Sequence, residues 1–338
     1  MDLNAIWFLL VGVLFAGYAI LDGFDLGVGV LSLFARSEHE RRLHLNAIGP
    51  VWDGNEVWLL TGGGALFAAF PPVYATVFSG FYMAVMLLLT ALICRAVSLE
   101  FYGKVDSAAW RTLFGWLFGL GSLVTPVLLG VALGNILRGI PLNETYTFTG
   151  SFIGLLNPYA ILTGLLGLSL FVMHGAIYLA MKTDGDLQSR MQNRASTGWM
   201  ISVALFTIST ISTIFVCPFL FEGLLAKLVF WPVFLLLLGA LAYMPVVIKA
   251  ARYGLAFLTS SIVIACMLGL TGISLFPRIV PSKTNLDYSL TVYAHSSTPR
   301  TLTTMLIVAS IGMPIVIGYT VFIYYVFKGK VILTEDSY

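Results

Sequence analysis

Charged residues are scarce in this chain of 338 residues. Lysine, arginine, aspartate and glutamate together make up 10% of the sequence, whereas 59% of the residues are hydrophobic and the mean hydropathy is +0.93. A soluble domain usually carries about 25% charged residues. This scarcity of charge excludes an ordinary soluble globular protein and indicates a polytopic membrane protein. The formal net charge of +2 gives no indication of nucleic-acid binding.

Cysteine is nearly absent, and no recognisable targeting segment precedes the first apolar run. The three cysteines, Cys94, Cys217 and Cys266, all lie within apolar segments. They therefore indicate neither a disulfide framework nor a CxxC metal site. The first apolar run begins near residue 6, lacks a basic leader and is too long for the hydrophobic region of a signal peptide. We expect no cleavable signal peptide.

Long apolar runs are what the sequence has in abundance. A helix needs about 20 apolar residues to cross a hydrocarbon core roughly 30 Å thick. Only "EGLLAK" separates the sixth such run from the seventh, and the second run is short unless its acidic start is included. No soluble domain interrupts the series, so we expect residues 1–338 to form a single transmembrane domain. The sequence predicts nine helices, over residues 6–34, 53–70, 77–98, 112–135, 157–181, 198–221, 225–248, 254–276 and 302–327.

The basic residues predict the orientation of these helices. Cytoplasmic loops of membrane proteins carry an excess of lysine and arginine. With nine crossings, 13 of the 18 basic residues fall on one face, and the other face carries Arg138, Lys227, Arg278, Lys283 and Arg300. We therefore expect the N-terminus outside and the C-terminus in the cytoplasm. Merging the sixth and seventh helices would blur this bias, which favours nine crossings.

Four acidic residues lie in the first two predicted helices. Asp22 and Asp25 occur in "YAILDGFDLGVGVL", and Asp53 and Glu56 occur in "GPVWDGNEVWLL". With a rise of 1.5 Å per residue, Asp25 lies about 28 Å below Ile6, towards the cytoplasmic end. A spacing of three places each pair on one helical face. We expect all four carboxylates to converge between the two helices, in the cytoplasmic half of the membrane.

Intramembrane acids are rare for an energetic reason. A charged side chain at the bilayer centre costs about 2.5–3.5 kcal/mol, so such residues usually face a partner, water or the protein interior. Carboxyl groups in a low dielectric and beside like charges can take up and pass on protons. For Asp25 and Glu56 we favour a proton-carrying role. For Asp22 and Asp53 an interfacial or helix-capping role is the alternative, since Asp53 shortly follows Pro50 as an N-cap residue would.

Further polar and aromatic residues lie near the predicted helix ends. In "ICRAVSLEFYGK", we expect Arg95 to extend to the cytoplasmic surface and pair with Glu100. A role beside the proton entrance is the alternative. Trp52 and Trp58 fit the aromatic belt of a membrane protein. Contact with a gas channel or a quinone is the alternative for this pair.

Glycines accompany both acidic motifs. Gly23 and Gly27 are four residues apart in "GFDLGVG", and "TGGGALFAAF" is similarly rich in small residues. Small residues at this spacing allow membrane helices to approach closely. Neither segment resembles a phosphate-binding loop. We expect tight helix packing that holds the acids in place.

The segments around these acids resemble a known family. "LDGFDLGVGVL", "ERRLHLNAIGPVWDGNEVWLLTGGGALFAAFP" and "YATVFSGFY" are similar to subunit II of the cytochrome bd-type quinol oxidases. "GNILRGIP", "GDLQSR" and "SLFPRIVPS", followed by "YSLTVYAHSS", extend the resemblance over essentially the full chain. The resemblance implies an all-α fold of two four-helix bundles plus one peripheral helix. It also implies an N-terminus outside, in a bacterial or archaeal cell membrane.

The same resemblance implies a function. Complexes of this family oxidise quinol near the outer face and reduce dioxygen to water with protons taken from the cytoplasm. Subunit I holds the b-type and d-type haems, whereas subunit II binds no haem or metal alone and completes a proton route. Asp25 and Asp53 match positions assigned to that route, and Trp58 matches a tryptophan near the place where oxygen enters. The implied partners are subunit I, small single-helix accessory subunits, and a structural quinone or lipid.

The histidines fit a subunit that holds no haem alone. Only His174, in "FVMHGAIYL", lies inside a predicted helix. A bis-histidine haem needs two intramembrane histidines at facing depths. We expect His174 to be a hydrogen-bonded packing residue. A proton relay, or haem ligation together with Met or with the partner chain, is the alternative.

Two other functions stay open from the residues alone. Intramembrane acids serve a proton-coupled secondary transporter equally well, but such carriers usually contain a structural repeat. The two acidic motifs have no counterpart in the second half of this chain. A purely structural assembly subunit would use the acids only to contact subunit I. We favour the subunit of a terminal oxidase.

Overall fold

The computed structural model describes residues 2–333 of the chain, and most of these residues are helical. A short antiparallel pair of strands, β1 (Arg278–Val280) and β2 (Leu290–Thr291), lies between the last two helices. Three 3₁₀ turns cover Pro218–Leu220, Leu224–Ala226 and Leu286–Tyr288. The helices are α1 (Leu3–Ser32), α2 (Glu38–Ile48), α3 (Trp52–Ala69), α4 (Pro71–Gly80), α5 (Tyr82–Phe101), α6 (Ala108–Arg138), α7 (Phe152–Leu155), α8 (Pro158–Lys182), α9 (Gly185–Val216), α10 (Phe230–Lys249), α11 (Tyr253–Leu275) and α12 (Pro299–Val326).

The all-α polytopic architecture predicted from composition is confirmed. In the described residues, eight helices are long and apolar enough to cross a membrane: α1, α5, α6, α8, α9, α10, α11 and α12. The predicted second crossing is present as α3, with 18 residues, but is not among these eight. Its first turns contain Asp53, Asn55 and Glu56, which lower its mean hydropathy. The predicted break between the sixth and seventh runs is also present, because α9 ends at Val216 and α10 begins at Phe230.

Two helices begin well away from the predicted positions, each for a local reason. Helix α9 starts at Gly185 rather than near residue 198, because its polar first turns bury Leu187, Met191 and Ala195 at a spacing of four. The predicted third run starts later, at Tyr82 in α5. Residues 71–80 form the separate helix α4, which opens with two prolines that are well tolerated in a first helical turn.

Ion pairs and hydrogen bonds connect segments that are distant in sequence at both ends of the long helices. At one end, Arg190 binds both oxygens of Glu40, and Lys330 lies 2.7 Å from Asp184. At the other end, the indole of Trp7 donates to the carbonyl of Leu302. The first end carries the loops rich in Lys and Arg, so we refer to it as the basic end.

The long helices fall into two groups with one outlier. Contacts link α1, α3, α5 and α6 in one group and α8, α9, α10 and α11 in the other. Helices α1 and α6 join the two groups, since both pack against α8 and α1 also packs against α11. Among the described elements, helix α12 packs mainly against α1 and α3, and none of its most apolar 18-residue window is buried. It is the least buried of the long helices.

Close contact between α1 and α8 depends on glycine. A Cβ atom on Gly27 would lie 1.9 Å from the carbonyl oxygen of Phe171, and one on Gly175 would lie 2.5 Å from the amide nitrogen of Val28. The two backbones therefore touch, as the small-residue spacing in α1 predicted. The second small-residue segment behaves differently, because Gly63 and Gly64 in α3 meet nothing within 4 Å.

We predict that Gly27→Ala destabilises the folded chain by about 2 kcal/mol or more, because the added methyl group must push α1 and α8 apart. Gly12→Ala is the matched control on the same helix, since a Cβ there meets nothing within 4 Å. It should be neutral or stabilise by up to about 1 kcal/mol. Denaturant titration in detergent measures both, and equal stabilities would contradict the close contact.

Helix α2 buries a histidine at the basic end. His44 has no exposed surface, and neither of its ring nitrogens has a hydrogen-bond partner. Burial is the main cause that lowers the pKa of His44 to about 4; Glu40 opposes the shift, and Arg190 adds to it. The folded chain therefore holds His44 in its neutral form, whereas the unfolded chain protonates it near its ordinary pKa of about 6.5.

We predict that His44 makes the folded chain lose stability as the pH falls from about 6.5 towards 4, because the unfolded chain then binds a proton that the folded chain excludes. The loss reaches about 1.4 kcal/mol per pH unit within that window. His44→Leu should flatten this part of the profile. His39→Leu, at an exposed position of the same helix, should leave it unchanged. Parallel slopes for wild type and His44→Leu would refute the assignment.

Candidate functional site

A buried ion pair joins α1 to α5. Asp22 and Arg95 each have no exposed surface. Arg95 Nη1 donates to Asp22 Oδ2 at 2.7 Å, and Nη2 donates to the other carboxylate oxygen. This bidentate geometry is the strongest arrangement of an arginine with a carboxylate. The expected pairing of Arg95 with Glu100 is wrong, because Glu100 is exposed and lies about 140° further round the helix.

Asp25 lies one turn further along α1 in a different environment. It is fully buried, and its Oδ2 accepts a hydrogen bond of 2.7 Å from the side-chain amide of Asn55 on α3. The Asn55 carbonyl oxygen in turn accepts a hydrogen bond of 3.0 Å from the hydroxyl of Tyr324 on α12. The other carboxylate oxygen of Asp25 has no hydrogen-bond partner. Asp25 therefore has polar neighbours but no arginine or lysine bound to it.

The two acids of α3, Asp53 and Glu56, differ in burial. Glu56 is half-buried and interacts electrostatically with Arg95 and Asp22. Asp53 is exposed, so the expectation that all four carboxylates converge is wrong for this residue. Asn55 of α3 faces Asp25 on α1, and Asp53 lies about 200° from Asn55 around the helix. The acids therefore range from exposed Asp53, through half-buried Glu56, to fully buried Asp22 and Asp25.

Several polar atoms around these acids have no hydrogen-bond partner. They are the Tyr18 hydroxyl, Asp25 Oδ1 and Arg95 Nε, all of them buried. Buried polar groups in proteins are nearly always paired, so such a concentration in one place marks a site rather than an ordinary core. We refer to Tyr18, Asp22, Asp25, Asn55, Glu56, Arg95 and Tyr324 as the polar centre.

The remaining predicted site residues lie around this centre. His174 is fully buried; Nδ1 is 2.6 Å from the Ser260 hydroxyl, and Nε2 is 3.1 Å from the carbonyl oxygen of Ile20. Both ring nitrogens therefore have the hydrogen-bond partners that we expected for this residue. Trp58 packs against α1, where a Cβ on Gly17 would lie 2.3 Å from its ring. Trp52 is buried at the start of α3, with 8% of its surface exposed.

The residues of the polar centre that sequence reasoning missed are Asn55, Tyr18 and Tyr324. Asn55 stands between the two acids of "WDGNEVW", and a second polar residue in an apolar helix start is a signal that could have identified it. Tyr18 precedes Asp22 by one helical turn, on the same face. Tyr324 gives no such signal, because it is one of several tyrosines near the end of α12.

Metal-ligand chemistry finds little support among the described side chains. Residues 2–333 contain no group of three or more His, Cys, Asp or Glu side chains that could hold a metal ion. Both ring nitrogens of His174 already have partners, so ligation of an iron by His174 would require breaking one of these contacts. The polar centre is instead a set of titratable groups enclosed by helices.

These features define a multi-pass membrane protein that encloses a buried cluster of polar and ionisable side chains between its helices. The family model of cytochrome bd terminal oxidase subunit II matches residues 3–327, and the chain belongs to this family. Its membership makes the chain a subunit of a bd-type quinol oxidase complex in the cell membrane. This family membership gives no support to the alternative of a proton-coupled transporter.

Individual members of the family are similar to this chain over nearly their whole length. The chain is 38% identical to cytochrome bd ubiquinol oxidase subunit 2 of Bacillus subtilis, covering 98% of this chain and 97% of the relative. It is 36% identical to cytochrome bd-I ubiquinol oxidase subunit 2 of Escherichia coli K12, covering 97% and 95%. A chain of the bd oxidase from Geobacillus thermodenitrificans superposes with a TM-score of 0.82 over 97% and 99% of the two chains. At 17% sequence identity this likeness shows the fold alone.

We predict that Asp22→Asn destabilises the folded chain by about 3–5 kcal/mol, because it leaves the buried Arg95 guanidinium without the carboxylate that is bound to it. Replacing both partners, as in Asp22→Leu with Arg95→Met, should recover most of that loss. Arg111→Gln breaks a partly exposed pair with Glu38 and should cost only about 0–1 kcal/mol. Thermal unfolding in detergent ranks the three variants. A double variant no more stable than Asp22→Asn would show that the pair does more than neutralise charge.

Proposed function

We propose that the polar centre is the cytoplasm-facing proton-uptake route of a bd-type quinol:oxygen oxidoreductase, with this chain as the non-haem subunit. The observation that carries the proposal is the state of Asp25. It is fully buried, hydrogen-bonded through one oxygen to Asn55, and free of any partner at the other oxygen. A carboxyl group in this position can exchange a proton without losing an ion pair, because Arg95 is already bound to Asp22.

The arrangement of the acids supports a direction for this route. Asp53 is exposed, Glu56 is half-buried and interacts electrostatically with Asp53 and Asp22, and Asp25 is enclosed. Protons cannot cross hydrocarbon without ionisable groups or water. A series of carboxyl groups of increasing burial gives a proton successive sites from the surface of α3 to the interior of α1.

The partner and the energetics complete the proposal. Haem-bearing subunit I reduces oxygen, and this chain delivers protons to it from the basic end, which faces the cytoplasm. Protons taken up from that side move charge across the membrane, worth about 2.3 kcal/mol per charge for each 100 mV. The exposed apolar side chains of α3, among them Val57, Leu60 and Phe67, offer a surface for subunit I close to Glu56.

We predict that Asp25→Asn lowers quinol-dependent oxygen consumption of the purified two-subunit complex at least tenfold, because the enclosed proton-exchanging group is lost. Glu56→Gln and Asp53→Asn should lower the rate to a smaller extent, since water can substitute at less buried positions. Glu100→Gln, an exposed acid on α5, is the matched control and should leave the rate unchanged.

Haem content and subunit stoichiometry, measured on the same preparations, separate the proton route from a structural role. Under the proposal, Asp25→Asn complexes keep their full haem spectrum and both subunits. Loss of subunit I or of haem in proportion to the lost activity would favour a purely structural function of the acids. Full activity of an intact Asp25→Asn complex would exclude Asp25 from the route.

A further inference from the structure

A second polar site lies at the basic end, apart from the polar centre. A cavity of about 280 Å³ opens between the turn from α1 to α2, the end of α5 and the start of α6. Its lining includes Arg36, Arg41, Arg111 and Tyr102. None of these residues belongs to the proposed proton route.

Arg41 is a cation without an acidic partner. In the part of the chain that the structure describes, no carboxylate lies within ion-pair distance of its guanidinium. Its Nε is buried and has no hydrogen-bond partner. The group is held against α6, because a Cβ on Gly115 would lie 3.1 Å from Arg41 Nη1. A guanidinium that is held against a helix, has no bound carboxylate and lines a cavity is suited to bind an anion.

Tyr102 is a second buried donor of this cavity, and its side chain lies next to Arg41. Only 1% of its surface is exposed, it lines the cavity, and its hydroxyl has no hydrogen-bond partner. The start of α6 adds further donors, because its N-cap residue Ser107 makes no side-chain capping bond. Amide groups and the helix dipole at such an end favour a negative ligand.

The acidic residues near the cavity are bound to arginines other than Arg41. Glu38 lines the cavity but is bound to Arg111 at 2.5 Å, and Arg111 also binds Asp106 at 2.7 Å. Arg36 is 3.8 Å from Asp186, and both side chains are largely exposed. Three arginines and one glutamate line the cavity, and Arg41 is the arginine among them that has no bound carboxylate in the described residues.

The surroundings of the cavity indicate where its anion comes from. Phe34 and Phe101 are exposed beside it, and Leu113 and Trp116 are exposed further along α6. Exposed aromatic and aliphatic side chains next to arginine are typical of the boundary between headgroups and hydrocarbon. A small soluble phosphate compound would leave this apolar surface uncovered, whereas the acyl chains of a lipid would cover it.

We propose that this cavity binds the phosphate group of an anionic membrane phospholipid. Arg41 and Tyr102 hold the phosphate oxygens, the start of α6 faces the same charge, and the acyl chains lie along Leu113 and Trp116. A soluble phosphate ester carries the same phosphate group as a lipid headgroup, so the experiment must distinguish a lipid from a soluble phosphate.

We predict that the delipidated two-subunit complex binds dioctanoyl phosphatidylglycerol, counted by native mass spectrometry, and that Arg41→Gln weakens this binding at least tenfold. Tyr102→Phe, which removes only the hydroxyl, should weaken it less. Lys104→Gln removes a positive charge from an exposed position at the same end and should have no effect. Oxygen consumption and haem content of each variant verify that the complex is intact.

Inorganic phosphate is the second arm of this experiment. Under the proposal, millimolar phosphate does not displace the lipid. Displacement of the lipid by phosphate at that concentration would assign the cavity to a soluble phosphate compound and overturn the lipid assignment. Equal lipid binding by wild type, Arg41→Gln and Tyr102→Phe would overturn the site itself. Neither result depends on whether Asp25 carries protons.

Discussion

The rule that a charge inside a membrane protein needs a counter-charge governs the arrangement of this chain. Asp22 and Arg95 form a bidentate ion pair in which neither side chain has exposed surface. The pair neutralises one acid and fixes α5 against α1. Asp25, one helical turn away, is then the acid left without a cation, and its neighbours are amide and hydroxyl groups instead. The polar centre therefore contains two acids on one helix, of which one is bound to an arginine and the other is not.

The glycine-mediated contact between α1 and α8 gives that centre a rigid support. Helix α1 carries both buried acids and packs against helices of both groups. Its approach to α8 brings backbone against backbone, with no side chain between them that could adjust. The acids are therefore held by one helix that the rest of the molecule surrounds. Such a support suits a site in which small displacements of a carboxyl group change its hydrogen bonds.

Sequence reasoning predicted the helices well and the contacts between them poorly. Composition and apolar runs predicted an all-α membrane protein, and the motifs around Asp22, Asp25 and Glu56 identified three of the acids that lie at the centre. The partner of Arg95 was missed because α5 extends to Phe101, which places Arg95 about 9 Å inside the helix end instead of at the surface. The exposure of Asp53 depends on the rotation of α3 about its axis. Periodicity in "WDGNEVW" does not determine that rotation, because polar residues occur on several sides.

Helix α12 has a consequence for how the chain is completed during synthesis. It is attached near its ends, by Trp7 at Leu302 and by Lys182 at the carbonyl of Phe327, while its apolar middle faces outwards. Through Tyr324 it also supplies the hydroxyl that orients the Asn55 amide towards Asp25. The ribosome adds Tyr324 about 300 residues after Asp25. The environment of an acid in α1 is thus complete only when α12 has inserted, so a chain terminated before α12 retains its acids without their complete hydrogen-bonded setting.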